Sequence, residues 1–141
     1  MYIVPVNILA VVFAAVAMQA VGFLWYSPKL FGKQWIKLLD MPEEMPETIK
    51  KEMGKGYLLN GLGSLITSYV LAIIVANLVV TNLFQGIQVV FYIWVGFIVP
   101  VLLSMHIFSY PPKPWALYLL NVGYFLASLL AAGIIITLFV L

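Results

Sequence analysis

Four stretches without a single Asp, Glu, Lys or Arg, at about residues 3–26, 57–80, 87–108 and 115–139, constrain this chain more than any other feature. The hydrocarbon core of a bilayer is about 30 Å thick, and a helix needs about 20 apolar residues to cross it. Each stretch supplies that length, and a helix satisfies its own backbone where no water can reach. Composition points the same way: 65% of the 141 residues are hydrophobic and 9% are charged, against roughly 25% charged in a soluble domain. The first stretch has no basic residue ahead of it, and its apolar run exceeds the roughly 7–15 residues of a signal-peptide core, so it reads as a retained span. The expected fold is all-α: a polytopic membrane protein in a single domain, residues 1–141, folded as a four-transmembrane-helix bundle.

Charge placement sets the expected orientation. Six of the seven lysines and all five acidic residues fall between Lys29 and Lys55, Lys113 is the seventh lysine, and there is no arginine. Lysines in short loops stay in the cytoplasm, whereas acidic residues weigh little. The loop of about residues 27–56 and the loop carrying Lys113 are therefore expected inside, with both termini outside the cytoplasm, in a plasma (inner) membrane. Aromatic residues at the exits, Trp25, Tyr26 and Trp35 at one and Tyr110, Trp115 and Tyr118 at the other, match the belt found at membrane boundaries. Both exits also read Tyr-x-Pro-Lys, from Tyr26 and from Tyr110, which would superpose the first span on the third as a parallel repeat. The plainer reading is that Pro stops a helix and Lys meets headgroups.

Residues 28–39 carry Lys29, Lys33 and Lys37 four apart, with Phe31, Trp35, Leu38 and Leu39 on other faces. This pattern predicts an amphipathic interfacial helix after the first span. Trp25, Tyr26, Lys29, Lys33, Trp35 and Lys37 are the candidate lipid or interface anchors, and membrane lipid is an expected partner. Asp40 with Glu43 resembles a capping pair. From Glu47 the chain is expected to turn helical again and run into the second span, with Glu47 and Lys51 four apart.

Several function classes are disfavoured. Cysteine is absent and His106 is the one histidine, so an ordinary zinc site would have to recruit several subunits. Neither a metal nor another cofactor is expected. The net charge of +2 comes from lysines bordering the apolar stretches, so no nucleic acid is expected as a partner. No Gly-x-Ser-x-Gly, His-Glu-x-x-His or phosphate-cradling glycine loop is present, and the chain is not expected to be an enzyme.

The run Gly22-Phe23-Leu24-Trp25-Tyr26-Ser27-Pro28, followed by Phe31-Gly32-Lys33 and Trp35, resembles the hallmark of domain-of-unknown-function family 1761. Asn121-Val122-Gly123-Tyr124 and Gly133-Ile134 resemble that family's last helix. The resemblance covers nearly the whole chain and implies a small four-span membrane protein, mostly of prokaryotes, with no activity to carry over.

Polar residues inside spans are candidate functional positions, because an unsatisfied one in hydrocarbon costs several kcal/mol. At about 1.5 Å of rise per residue, Asn60 and His106 lie roughly 5–8 Å inside the cytoplasmic boundary, Gln19, Ser64 and Asn121 roughly 10–12 Å, and Thr67 about 16 Å. Asn60, Ser64 and Thr67 share one helical face, as do Asn121 and Ser128, with Tyr124 beside them. These faces predict a polar vestibule open to the cytoplasm, with Gln19, Asn60, Ser64, Thr67, His106 and Asn121 as candidate solute-binding residues. The alternative is that they are hydrogen-bonding glue between helices. Small residues four apart, Ala10 and Ala14, Ala72 and Ala76, and Gly123, Ala127 and Ala131, mark expected close-packing stripes. Pro100 is expected to kink the third span.

The function expected from these residues is binding or passage of a small neutral or weakly polar solute of unknown identity. Four spans leave little room for an enclosed path in one copy, so a homo-oligomer is expected. The competing expectation is a non-transporting scaffold or accessory subunit whose loop of about residues 27–56 binds a partner protein or anionic lipid.

Overall fold

Asn7 opens the first helix, its side chain accepting the backbone N–H of Leu9 at 3.0 Å and of Ala10 at 3.3 Å, which satisfies two of the donors that a helix start leaves over. In this computed structural model, which describes residues 5–42 and 46–141, six helices follow in order. They are α1 (Ile8–Trp25), α2 (Gly32–Leu38), α3 (Glu47–Asn77), α4 (Leu83–Ile93), α5 (Val99–Ile107) and α6 (Trp115–Val140). A π-helical turn, Trp94–Ile98, joins α4 to α5 as one run. No strand occurs among the described residues. The helices α1, α3, the run Leu83–Ile107 and α6 are long and apolar enough to cross a bilayer. The chain is an all-α membrane protein.

α6 is the common partner: α1, α2, α3, α4, the π turn and α5 all pack against it, while α1 also packs on α3. Lipid tails are as apolar as leucine, so helices in a membrane associate through close packing and not through the hydrophobic effect. The core is accordingly built where small or branched side chains let backbones approach, with Ala14, Val75, Ala132 and Ile136 fully buried. Ser68 is also fully buried, donating to Met18 Sδ at 3.5 Å.

The tightest approach joins α4 to α6. A Cβ on Gly86 would strike Thr137, and one on Gly133 would strike Val90. The two contacts are four residues apart on each helix and run in opposite directions, so a pair of glycines sets the separation of the two axes. Of the expected α6 stripe, Gly123 makes a close approach, to the Trp25 ring. Ala127 and Ala131 are half-buried, whereas Ser128, Ala132, Gly133 and Ile136 face the core.

Pro100 has no N–H for an α-helical bond, and the helix takes up the mismatch in the preceding turn, where the Val99 N–H reaches back five residues to the Trp94 carbonyl. The Trp94 indole N–H donates to the Val122 carbonyl at 3.0 Å, fixing this wide turn on α6. The opposite end of the run begins with Asn82, which accepts from the Gln85 N–H at 3.0 Å while the Gln85 side chain accepts from Thr81 N–H at 2.8 Å. The two exchanges resemble a capping box.

Two helices close through residues in the left-handed region. Asp40 (φ 56°) follows α2, where the Asp40 N–H donates to the Lys37 carbonyl and the Met41 N–H to the Ile36 carbonyl, both at 3.2 Å. That pair of bonds is a Schellman closure, so Asp40 ends a helix where a capping pair with Glu43 was expected to start a turn; Glu43 itself lies outside the described residues. Val79 (φ 51°) follows α3 and turns the chain so that Val80 becomes buried.

The two Tyr-x-Pro-Lys exits differ locally. Tyr26 is half-buried and precedes α2, whereas Tyr110 is 96% exposed and the chain passes from it into α6.

Candidate functional site

The site is built where the end of α1 turns back on itself. Ser27 Oγ donates to the Leu24 carbonyl at 2.7 Å, and the Ser27 carbonyl accepts from the N–H groups of Leu30 at 3.1 Å and Gly32 at 2.9 Å. Phe31 N–H reaches the Trp25 carbonyl at 3.0 Å. Gly32 sits so close to this turn that a Cβ would lie 2.7 Å from the Ser27 carbonyl and nearer still to that of Tyr26. Only glycine fits, and its absence of a side chain lets α2 begin directly beneath the end of α1.

The reversal brings aromatic rings together. Trp25 meets Phe31 with centroids 4.7 Å apart, and Tyr26 meets Trp35 at 5.2 Å and Tyr124 at 5.1 Å. Both helices are cut to receive them: on α6 a Cβ at Gly123 would be 3.2 Å from the Trp25 ring, and on α1 one at Gly22 would be 3.3 Å from the Tyr124 hydroxyl. Tyr26 Oη donates to Asn121 Oδ1 at 2.9 Å. The two sequence segments that resemble one family, around Gly22–Trp35 and around Asn121–Tyr124, therefore form one interlocked unit.

This unit walls a cavity of about 610 Å³. Gln19, Gly22 and Phe23 of α1 line it one turn apart, Trp35, Ile36 and Leu39 come from α2 and its cap, and Met53, Tyr57 and Asn60 come from α3. Leu102 of α5 and Asn121, Tyr124 and Phe125 of α6 complete the wall. The lining carries no charged side chain. Behind it, Gln19 Nε2 donates to Ser64 Oγ at 3.0 Å, and that hydroxyl donates to the Asn60 carbonyl at 2.9 Å. Phe23 and Tyr57, with ring centroids 5.2 Å apart, bridge α1 and α3 at the rim.

A smaller cavity of about 170 Å³ lies beside the first and shares Leu102 and Asn121 with it. His106, Ser109, Lys113 and Tyr118 contribute its polar lining. His106 packs on Trp115 at 4.7 Å and on Tyr118 at 5.5 Å, while Tyr118 Oη donates to the Val99 carbonyl at 3.2 Å and Ser109 Oγ to the His106 carbonyl at 2.7 Å.

Of the residues singled out from the sequence, Gln19, Asn60 and Asn121 meet in the large cavity and Ser64 supports it from behind. His106 lies in the small cavity, across Asn121, and Thr67 lines neither. Among the candidate anchors, Lys29, Lys33 and Lys37 are exposed, Trp25 is half-buried between Phe31 and Gly123, and Tyr26 and Trp35 face the large cavity. Sequence reasoning did not single out Ile36, Leu39, Met53, Tyr57 or Phe125 as cavity residues. One signal was present for the α1 wall, because Gln19, Gly22, Phe23 and Tyr26 follow the i, i+3, i+4, i+7 spacing of a single helical face.

The model of the family described as "Protein of unknown function (DUF1761)" matches residues 9–137. No curated protein and no solved structure matches the chain.

Proposed function

Starting from the fact that this chain belongs to the DUF1761 family, whose function is unknown, we propose that it is a membrane binding protein for a small molecule whose body is largely apolar and uncharged. The single observation behind this reading is the uncharged cavity of about 610 Å³ at the lysine-bearing end of the bundle. Small-molecule sites measure about 300–1,000 Å³ and combine apolar and aromatic walls with a few polar groups that orient the ligand. Here the orienting groups are the amides of Gln19, Asn60 and Asn121 and the hydroxyls of Tyr26 and Tyr124.

The lysine pattern supports a cytoplasmic mouth and termini on the far side. Beyond the cavity the bundle is close-packed around Ala14, Val75, Ala132 and Ile136, each fully buried. That packing supports binding over conduction through one copy; passage across the bilayer calls for a homo-oligomer. The lining offers amide, phenol, indole and thioether groups, so the role is one of recognition and not of enzymatic chemistry.

The test is photolabelling in nanodiscs with 4-hydroxybenzophenone, a neutral and mostly apolar probe. Adducts are expected on cavity residues such as Phe23, Tyr57 and Leu102, and the pair Asn60→Leu and Asn121→Leu should suppress them. Equal labelling of lipid-facing Phe97 and Ile107, unaffected by those changes, would refute the reading.

A further inference from the structure

The small cavity beside Asn121 holds the one half-buried lysine among those whose side chains are described; Lys29, Lys33, Lys37, Lys51 and Lys55 are all exposed. Lys113 has no carboxylate within ion-pair distance among the described residues. A cation drawn partly out of water without a counter-charge is unfavourable unless an anion joins it.

Two of its neighbours have donors to offer, while the Ser109 and Tyr118 hydroxyls give their protons to backbone carbonyls. Asn121 Oδ1 is occupied by the Tyr26 hydroxyl, which leaves the amide NH₂ to donate, and the His106 imidazole adds a ring N–H. The cavity of about 170 Å³ that these groups line has room for a phosphate or carboxylate but not for a larger molecule's body. Body space exists next door, since Leu102 and Asn121 belong to both walls. Trp115 and Tyr118, packed with His106, are of the residue types that gather where headgroups meet hydrocarbon.

We propose that the small cavity takes the oxyanion head of a single-chain amphiphile whose apolar body occupies the large cavity, with Lys113, His106 and Asn121 as the head-binding groups. The proposal rests on the large cavity being a ligand site and adds the head chemistry to it. Lysine binds phosphate as a point charge, so the selectivity is for charge and not for the geometry of one particular head.

Three probes separate the possibilities with the full chain in detergent micelles, read by native mass spectrometry and tryptophan fluorescence: a lysophosphatidic acid, the monoacylglycerol of the same chain, and inorganic phosphate. The phosphate-bearing lipid should bind about tenfold more tightly than the monoacylglycerol, the margin of one charge-assisted hydrogen-bonded contact. Lys113→Gln should remove that margin, bringing the two lipids to comparable affinity. Tyr110 is almost fully exposed, so Lys113→Gln with Tyr110→Lys keeps the loop charge that governs insertion and should behave like Lys113→Gln alone. Lys113→Arg should retain the preference.

Equal binding of the two lipids, or a preference that survives Lys113→Gln, overturns the head site while leaving the large cavity as a site for neutral molecules. Free phosphate binding as tightly as the lysolipid overturns the coupling of head to body. Failure of both lipids to bind in an Asn60-dependent way overturns the head site and the cavity reading together.

Discussion

The Tyr26 hydroxyl donates to the Asn121 side chain at 2.9 Å, joining the end of α1 to the second turn of α6 across 95 residues of sequence. Each residue stands in one of the two segments that resemble the family, so this bond is the point at which the two segments become a single wall.

Tyr26→Phe should therefore lower stability by about 1 kcal/mol, the usual net worth of such a bond. Asn121→Leu should cost less in the Tyr26→Phe background than in the wild type, because the shared partner is already gone. Thermal unfolding in detergent, followed for both single variants and the double, checks this.

Gly32→Ala and Gly54→Ala should have opposite signs. A Cβ at Gly32 collides with backbone carbonyls that cannot move aside, whereas one at Gly54 meets nothing within 4 Å. The first should destabilise by about 1–3 kcal/mol as overpacking does, and it should also detach α2, seen as faster proteolysis between α2 and α3. The second should stabilise α3 by up to about 1 kcal/mol through helix propensity.

Val79→Gly should raise the unfolding temperature. A β-branched residue at φ 51° is strained, and its left-handed conformation costs about 1–2 kcal/mol that glycine does not incur. Unfolding of Val79→Gly beside Val79→Ala separates loss of strain from loss of the side chain, since alanine keeps the Cβ penalty.

Gly86→Ala should loosen the α4–α6 pair, with a stability loss of about 1–3 kcal/mol. Thr137→Ala added to it should recover part of the loss, because Thr137 is the side chain that the new methyl group meets. Thr137→Ala alone should be mild, as its buried hydroxyl has no hydrogen-bond partner.

Orientation is open to a direct test because the chain has no cysteine. A membrane-impermeant thiol reagent applied to intact spheroplasts should label Thr81→Cys and leave Gln34→Cys unlabelled until the membrane is opened. Reversed labelling would invert the topology.

The span count, the helical start at Glu47 and the meeting of Gln19, Asn60 and Asn121 could all be read from the sequence. Each follows from local information: apolar length, or helical spacing of polar residues. What could not be read depended on one contact between distant segments. Tyr26 and Trp35 have the composition of interface anchors, and nothing local reveals that the missing side chain of Gly32 folds them inward. Which small residues of α6 meet α4 is hidden for a similar reason. Ala127 and Ala131 are as small as Ala132 and Gly133, and only the position of Val90 on a neighbouring helix decides which pair is used. Pro100 announced a departure from the α-helix but not its form, because the wide turn depends on the Trp94 indole finding the Val122 carbonyl.

Every other helix leans on α6, which follows them all in the chain. The other spans therefore share one partner, and α2 without it has only the end of α1 to rest on. Without α6, Gly86 and Val90 would lose the helix they pack against, and Tyr26 would lose its hydrogen-bond acceptor.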